Sequence, residues 1–441
     1  MTRGSVKEGV LVVNSANPEL DRLAGELARR GKLQNLVRRY ANLGRAWERA
    51  LETVPPVKRQ YAGTMGRRSL PPGLGRGQVI DAGVGFDFAA AAALRVTSGR
   101  GGLAASKWLL ERRRRSIART AASLTENSKV IVGNYGVSQQ AFKRVKRLGG
   151  ATILNYPNAH HRFQVALLRE EAEREPEFAG TFTTETVSLA ETFDEECALA
   201  DLILVGSTFA RQTFAEAGLS THNVVVVPYG CDTSMFSPAE SGKDDKVFRA
   251  VYVGQLSQRK GLSYLLKGYE MFRGAGTELL VAGRYVGDPA ILHPYRSLYT
   301  YLGSLPQRRL AALFQQTDVF VFPTLMEGMG LSLLEAMSAG VPVITTDRGT
   351  GDLVRDGIEG FMVPIRDPHA IAEKLALLRD RPDLRAAMGR AARMRALAFT
   401  WERYCRHAAD TVLQFAGKEE TGCAAGPVMA SVMAWQRHLA L

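Results

Sequence analysis

Two glutamates, Glu327 and Glu335, stand eight positions apart in the stretch EGMGLSLLEAMSAGVPVI, residues 327–344. Between them come Gly328, Met329, Gly330 and Leu331, at the junction of a loop and a helix-period segment. Amides at a helix start have no acceptor inside the helix, and the dipole there favours an anion such as phosphate. Carboxylates are poor partners for phosphate but good acceptors for neighbouring hydroxyls. A ligand with sugar hydroxyls at both ends and phosphates between them satisfies every group. That ligand is a nucleotide-diphospho sugar: hexose on Glu327, diphosphate on the glycine amides, ribose on Glu335.

A second stretch, VYVGQLSQRKGLSYLLKG, fits the same ligand. Gly254 closes a strand, and Arg259 and Lys260 precede a glycine and a helix. Two cations at a strand-to-helix turn can clamp a diphosphate, each charged contact contributing about 1.5–3 kcal/mol. They would also stabilise the charge that builds on the diphosphate as it leaves. The loop after Gly283 and the turn Gly303 to Leu305 face the nucleobase in this reading.

Apolar runs alternate with helical segments through most of the chain, as in α/β proteins with parallel sheets. GVLVVNS leads into PELDRLAGELARRG, KVIVGNYG into SQQAFKRVKRLGG and ATILNYP, and DLILVG into STFARQTFAEAGL and NVVVVPYG. After the polar stretch CDTSMFSPAESGKDDK the alternation restarts at VFRAVYVG and runs through TELLVAG, LYTYLGS, DVFVFP and VPVITTD. The expectation is two doubly wound, Rossmann-like parallel sheets facing across a cleft, with ligands at the carboxyl ends of the strands. The boundaries are 1–230 for an N-terminal acceptor-side domain, 231–246 for a linker and 247–400 for a nucleotide-sugar domain. Residues 401–441 form a C-terminal helix and tail, with a return of that helix to the N-terminal domain open. Residues 42–78, rich in Arg, Pro and Gly, read as loop.

Glu327 and Glu335 in Glu-x7-Glu spacing, together with VGQLSQRKG, LLVAGR, YLGSLPQRRLAALFQQTDVFVFP and VVVVPYGCDTSMFSP, resemble the retaining glycosyltransferases of family 4, which have the GT-B fold. The resemblance covers residues 200–400 closely and the N-terminal part loosely. It implies metal-independent hexosyl transfer, with retention at the anomeric carbon and no cofactor, from a UDP- or GDP-linked sugar. It assigns Glu327 to the donor sugar, Glu335 to the ribose and Lys260 to the diphosphate. It also implies a histidine near the anomeric centre, for which ATILNYPNAHHRF offers His160 ahead of His161. Asn134 and Tyr135, at the end of the preceding strand, fall on the acceptor side. Two positions depart from the family pattern. Gln255 follows the strand-end glycine where an arginine is common, with Arg259 as the substitute charge. The first strand-to-helix turn, NSANPEL, contains no glycine.

The whole chain has a formal charge of +13, but residues 1–150 hold 28 Lys and Arg against 10 Asp and Glu, a net +18. Acceptors of such enzymes are often lipid-linked or polysaccharide, in cell-surface or exopolysaccharide synthesis. A basic, aromatic-bearing N-terminal part suits a membrane with anionic lipid. No apolar run approaches the ~20 residues that span a bilayer. Four scattered cysteines (Cys197, Cys231, Cys405, Cys423) have no metal spacing and suit reduced thiols. The expected location is the cytoplasm, with peripheral attachment to the inner membrane face open. The alternatives are a sugar-nucleotide epimerase of the same architecture or a non-catalytic sugar-nucleotide-binding protein. A dinucleotide oxidoreductase would want G-x-G-x-x-G where NSANPEL stands, and a nucleic-acid partner, which the reading does not assign, has no use for the two glutamates.

Overall fold

The computed structural model describes residues 9–15, 17–40, 45–46, 48–49, 73–87, 89, 100–182, 188–240 and 246–421. Most of the expected 42–78 loop, residues 241–245 of the expected linker and the tail beyond 421 lie outside the described residues.

Two sheets carry the architecture. The first takes the order β3-β2-β1-β4-β5-β6-β7, formed by Val79–Asp81, Leu33–Arg38, Val10–Asn14, Val130–Asn134, Ala151–Asn155, Leu202–Val205 and Val224–Val226. Its pairs from β3 through β6 are parallel. The second takes the order β10-β9-β8-β11-β12-β13, formed by Thr300–Gly303, Thr277–Ala282, Phe248–Val253, Val319–Phe322, Val343–Thr345 and Gly360–Met362. All of its pairs are parallel. Central strands such as β1, β4, β5 and β11 are buried along their whole length. This is why they read as unbroken apolar runs and not as alternating ones.

The helices used below are α1 (Pro18–Arg29), α2 (Arg100–Ser123), α3 (Gln139–Arg147), α4 (His161–Arg174), α5 (Ala190–Leu199), α6 (Thr208–Glu216), α7 (Leu262–Phe272), α8 (Gln307–Gln315), α9 (Leu331–Ser338), α10 (Pro368–Asp380), α11 (Pro382–Ala396) and α12 (Trp401–Thr421). Local chemistry explains several starts. Pro18 opens α1 with Glu19 and Asp21 in its first turn, Ser207 caps α6 through Ala210 N, and Asp367 caps α10 through Ala370 N.

The chain divides into two compact units, each a parallel-sheet α/β body. Among the described residues, one holds the chain up to Asn155, Glu191–Leu204 and 405–421. The other holds Tyr156–Ala190 and Val205–Tyr404. This division is not the sequence-based one at residue 230, because α4 and the segment after it pack on α7. Tyr264 Oη donates to Glu171, and Lys267 pairs with Glu175. Within the first unit α12 is tied to α1 by the Arg30–Asp410 ion pair. No helix among the described residues is long and apolar enough to cross a membrane.

Candidate functional site

In the second sheet the chain order reverses between β8 and β11, and in open α/β sheets ligands bind outside the strand ends at such a point. Arg259 and Lys260 follow β8, and Glu327 follows β11. The turn Gln258–Lys260 is a single 3-10 turn that ends on Gly261. Gly261 has φ +71°, and a Cβ there would lie 1.9 Å from Pro323 O, so no other residue fits this junction between the turn and α7.

The three charges meet. Lys260 Nζ and Arg259 Nη1 both pair with Glu327 Oε1, the arginine at 3.1 Å. Arg259 Nη1 also donates to Met326 O at 3.2 Å, and Thr324 Oγ1 lies 3.4 Å from the same glutamate oxygen. Lys260 Nζ sits 5.1 Å from the centre of the Phe322 ring. Glu327 and Lys260 are each only 8% exposed. Burial raises the Glu327 carboxyl, but Lys260 and Arg259 outweigh it and leave its pKa below the ordinary value. Burial pushes Lys260 down to about 8, against the opposing pull of Glu327 and with help from Arg259. Among the described residues, Glu327 is the only carboxylate paired with either cation. Two cations, Lys260 buried and Arg259 half-buried, therefore face one anion, and the surplus positive charge favours a further anion beside them.

The amides supply the second half of the site. Residues 321–330 are buried without a break. Among the described residues the backbone N–H groups of Gly328, Met329 and Gly330 find no acceptor. Gly330 is the N-cap of α9, whose start has no side-chain cap and no acidic residue in its first turn. Orphaned buried N–H groups are rare, and leaving one unmade costs about 1–3 kcal/mol. Three in succession beside surplus cations make a seat for an oxyanion. A Cβ at Gly328 would lie 1.7 Å from Pro157 O, so glycine is required for the close approach of these two backbones.

Glu335 lies on α9, half-buried, and no hydrogen bond or ion pair holds its carboxylate among the described residues. Burial alone pushes it up to about 7. An acid left bare in this way can accept hydroxyls.

The remaining sequence-predicted residues fall as follows. Gly254 directly follows β8 and its N–H donates to Ala282 O, which spends that amide inside the fold. Gly303 ends β10 and accepts from Gly283 N, and Leu305 is half-buried just beyond. Gln255 O accepts from Tyr252 Oη at 2.6 Å. Leu331 is the first residue of α9, and its N–H turns back to Met329 O.

His160 is fully buried as the N-cap of α4, with Nδ1 3.4 Å from Arg162 N and its own N–H on Thr213 Oγ1. Its ring packs on Tyr156, Phe214 and His161. No described contact joins it to Glu327 or Lys260, although Pro157, three residues earlier, abuts Gly328. In the first unit Asn134 is buried at the β1–β4 reversal, where it donates to Ser15 Oγ and accepts from Asn155. Tyr135 stacks on Phe193.

Sequence reasoning missed three contributors. Thr324, Gly349 (φ +94°, packed on the backbone of Glu327) and Gln258 all shape the site. The first stands at the end of β11, three positions before Glu327, where a strand-end polar residue was a usable signal. The other two leave no local mark.

Residues 235–395, which contain Arg259, Lys260, Glu327 and Glu335, match the family model described as Glycosyl transferases group 1. The chain is 30% identical over 171 residues to the putative glycosyltransferase EpsD of Bacillus subtilis, which is 37% of this chain and 44% of that protein. It is 26% identical to D-inositol 3-phosphate glycosyltransferase of Corynebacterium urealyticum, over 62% of this chain and 68% of that one. Among solved structures, Anabaena HepE in complex with UDP-glucose superposes with a TM-score of 0.61 at 14% identity, covering 92% of this chain and 99% of the other. Residues 235–395 thus match a glycosyltransferase group 1 domain, and the two Rossmann-like sheets are those of the GT-B fold.

Proposed function

We propose that the protein is a retaining, metal-independent hexosyltransferase of family 4 that moves a sugar from a UDP- or GDP-linked donor to a hydroxyl of a glycan or glycolipid. One observation carries this reading: three buried, unanswered amides at Gly328–Gly330 lie beside a lysine and an arginine that outnumber their carboxylate. A diphosphate answers both at once.

On this reading Arg259 and Lys260 hold the diphosphate and take up its charge as the glycosidic bond breaks. The amides of Gly328–Gly330 hold its remaining oxygens. Glu327, released from the ion pair, accepts the hexose hydroxyls, and Glu335 accepts those of the ribose. Gly254, Leu331 and the Gly303–Leu305 turn line the donor. The leaving phosphate oxygen takes the proton of the acceptor hydroxyl on the same face of the sugar, which retains the configuration. In this proposal His160 serves the anomeric centre, and Asn134 and Tyr135 serve the acceptor. A structural neighbour that binds UDP-glucose and two glycosyltransferase relatives support this reading.

The acceptor is lipid-linked or polysaccharide, and the enzyme works in the cytoplasm at the inner membrane face, in surface-polysaccharide synthesis. Helix α2 supplies the contact: Trp108, 57% exposed with the Arg112 guanidinium 4.6 Å over its ring, shares a helical face with the exposed Arg115 and Arg119. Flotation with anionic vesicles at low salt is expected to carry the protein upward; flotation equal to that with neutral vesicles contradicts the membrane assignment.

The function is tested by incubating the protein with UDP- and GDP-hexoses and a panel of glycan and lipid acceptors, with and without EDTA. The expected product keeps the anomeric configuration and forms equally well with chelator present. Release of an epimerised free sugar without acceptor would instead identify an epimerase, and binding without turnover a sensor.

A further inference from the structure

The Arg259–Lys260 turn is fastened from behind by a buried polar network that the transfer chemistry does not itself use. Its centre is Glu171 on α4, wholly buried. Its carboxylate accepts from Arg366 Nε at 2.5 Å, Gln258 Nε2 at 2.9 Å and Tyr264 Oη at 3.0 Å. The other two guanidinium nitrogens of Arg366 grip Glu170 at 2.9 and 2.8 Å. Among the described residues Arg366 is the only non-glycine residue with positive φ, at 65°, a conformation held by its surroundings and not by preference.

Gln258 is the link to the clamp. Besides Glu171, its amide nitrogen donates to Ser263 Oγ at 2.7 Å, and its amide oxygen accepts from Ser263 N at 3.0 Å. Its backbone N–H donates to Thr181 Oγ1 at 2.9 Å, and its carbonyl accepts from Gly261 N. Every polar atom of Gln258 is thereby committed. Arg259 and Lys260 are the next two residues of the same 3-10 turn. For stability alone, apolar packing does as well as a buried ion network or better. A network of this kind has a use where a nearby group must be aimed.

We infer that Glu171, Gln258 and Arg366 are positioning residues that fix the Arg259–Lys260 turn at the spacing a diphosphate requires. The inference rests on the nucleotide-sugar reading above. Glu171 orients the Gln258 amide, Gln258 locks the first residue of the turn, and the two cations that follow are held toward Glu327 and the Gly328–Gly330 amides. Arg366 donates to Glu171 and ties it to the loop before α10.

The test is Gln258→Glu, with UDP and GDP as probes, by calorimetry from pH 5.5 to 8.5 beside thermal melts of the same samples. The introduced carboxyl faces Glu171 from α4, Tyr264 from α7 and Arg366, with Glu170 behind it and Arg259 and Lys260 in its own turn. Above neutral pH two carboxylates oppose each other, and nucleotide affinity is expected to fall on the order of tenfold to a hundredfold against the unsubstituted protein. Toward pH 5.5 the new carboxyl protonates, its O–H replaces the amide N–H, and the affinity ratio returns toward one. A ratio that does not change with pH, or full affinity together with a lowered melting temperature, overturns the inference, because a purely structural role moves stability and leaves binding alone. Tyr264→Phe, which removes one donor to Glu171 and little volume, is the companion if Gln258→Glu does not fold. A several-fold loss of UDP affinity with a near-unchanged melt is expected, and unchanged affinity overturns the inference. Absence of nucleotide binding by the unsubstituted protein overturns the function reading and this inference with it. Binding with an indifferent Gln258→Glu overturns this inference alone.

Discussion

Two helix starts, one in each unit, follow a parallel strand and meet the same physical problem differently. After β4 the amides of Gly136, Ser138 and Gln139 point at a carboxylate from the chain itself. Glu196 of α5 accepts from all three, at 2.6 Å for Ser138 and 3.0 Å for Gln139. Burial pushes Glu196 up to about 7 despite those amides and the nearby Arg114. After β11 the amides of Gly328, Met329 and Gly330 have no such carboxylate, and Arg259 and Lys260 stand beside them. The first junction is completed by folding. On the proposed reading the second is completed by a ligand that brings negative charge. The proposed function makes the first a structural anion site and the second a ligand site built on the same backbone logic.

The sharpest way to break this comparison is to alter each junction and read both binding and stability. If Lys260 holds the diphosphate as proposed, Lys260→Ala is expected to weaken UDP or GDP binding by about a hundredfold, roughly 3 kcal/mol, in calorimetry. Glu196→Ala is expected to do the reverse. It strands three amides and lowers unfolding free energy by about 2–3 kcal/mol in urea titration, while nucleotide affinity stays within about twofold. If Glu196→Ala abolishes nucleotide binding in a folded protein, the two junctions are not different in kind.

The pH dependence gives the next effect. Lys260 is depressed to about 8, so its charge is present below that value and lost above it. Affinity for a fully ionised nucleotide diphosphate should therefore hold from about pH 7 to 8 and fall by up to about tenfold per unit above 8. A flat profile to pH 9.5 would remove Lys260 from the contact. Lys260→Arg should abolish the alkaline decline, because a guanidinium stays charged.

Glu335→Gln gives the smallest effect, and it acts on two properties in opposite directions. The folded-state carboxyl is raised to about 7, so between about pH 4.5 and 7 the native state binds more protons than the unfolded one. Stability then declines as pH rises through that window. Removing the charge should raise stability by about 1 kcal/mol at pH 8 and by nothing near pH 4, in melts at both pH values. Nucleotide affinity should fall several-fold if Glu335 accepts the ribose as proposed. A gain in stability with unchanged affinity would leave Glu335 outside the site.

Much of this was legible in the chain because it is written locally. Unbroken apolar strands, glycine-bearing turns and helix-period segments are patterns of neighbours, and both sheets could be read from them. The pairing of Glu327 with cations 67 and 68 residues away follows once both stretches are placed at strand ends of one sheet. The network behind the clamp could not be read this way. Arg366 and Glu171 are 195 residues apart, and nothing near either announces the other. An arginine at positive φ is also the opposite of the glycine such a turn advertises. The basic N-terminal part was legible only as a total. In the structure Arg113 is paired with Asp87, and Arg114 and Arg115 share Glu111, so the charge open to a partner is smaller than the count. The division of the chain at Asn155 escaped the composition break near residue 231, because what joins α4 to α7 is side-chain contact and not sequence character.

The most direct measurement is an amide NMR titration of selectively labelled protein with UDP and, separately, with inorganic pyrophosphate. The account predicts large shifts at Gly328, Met329 and Gly330 with either ligand, and none at Gly136, Ser138 or Gln139. Saturable binding that leaves the Gly328–Gly330 signals in place would contradict it.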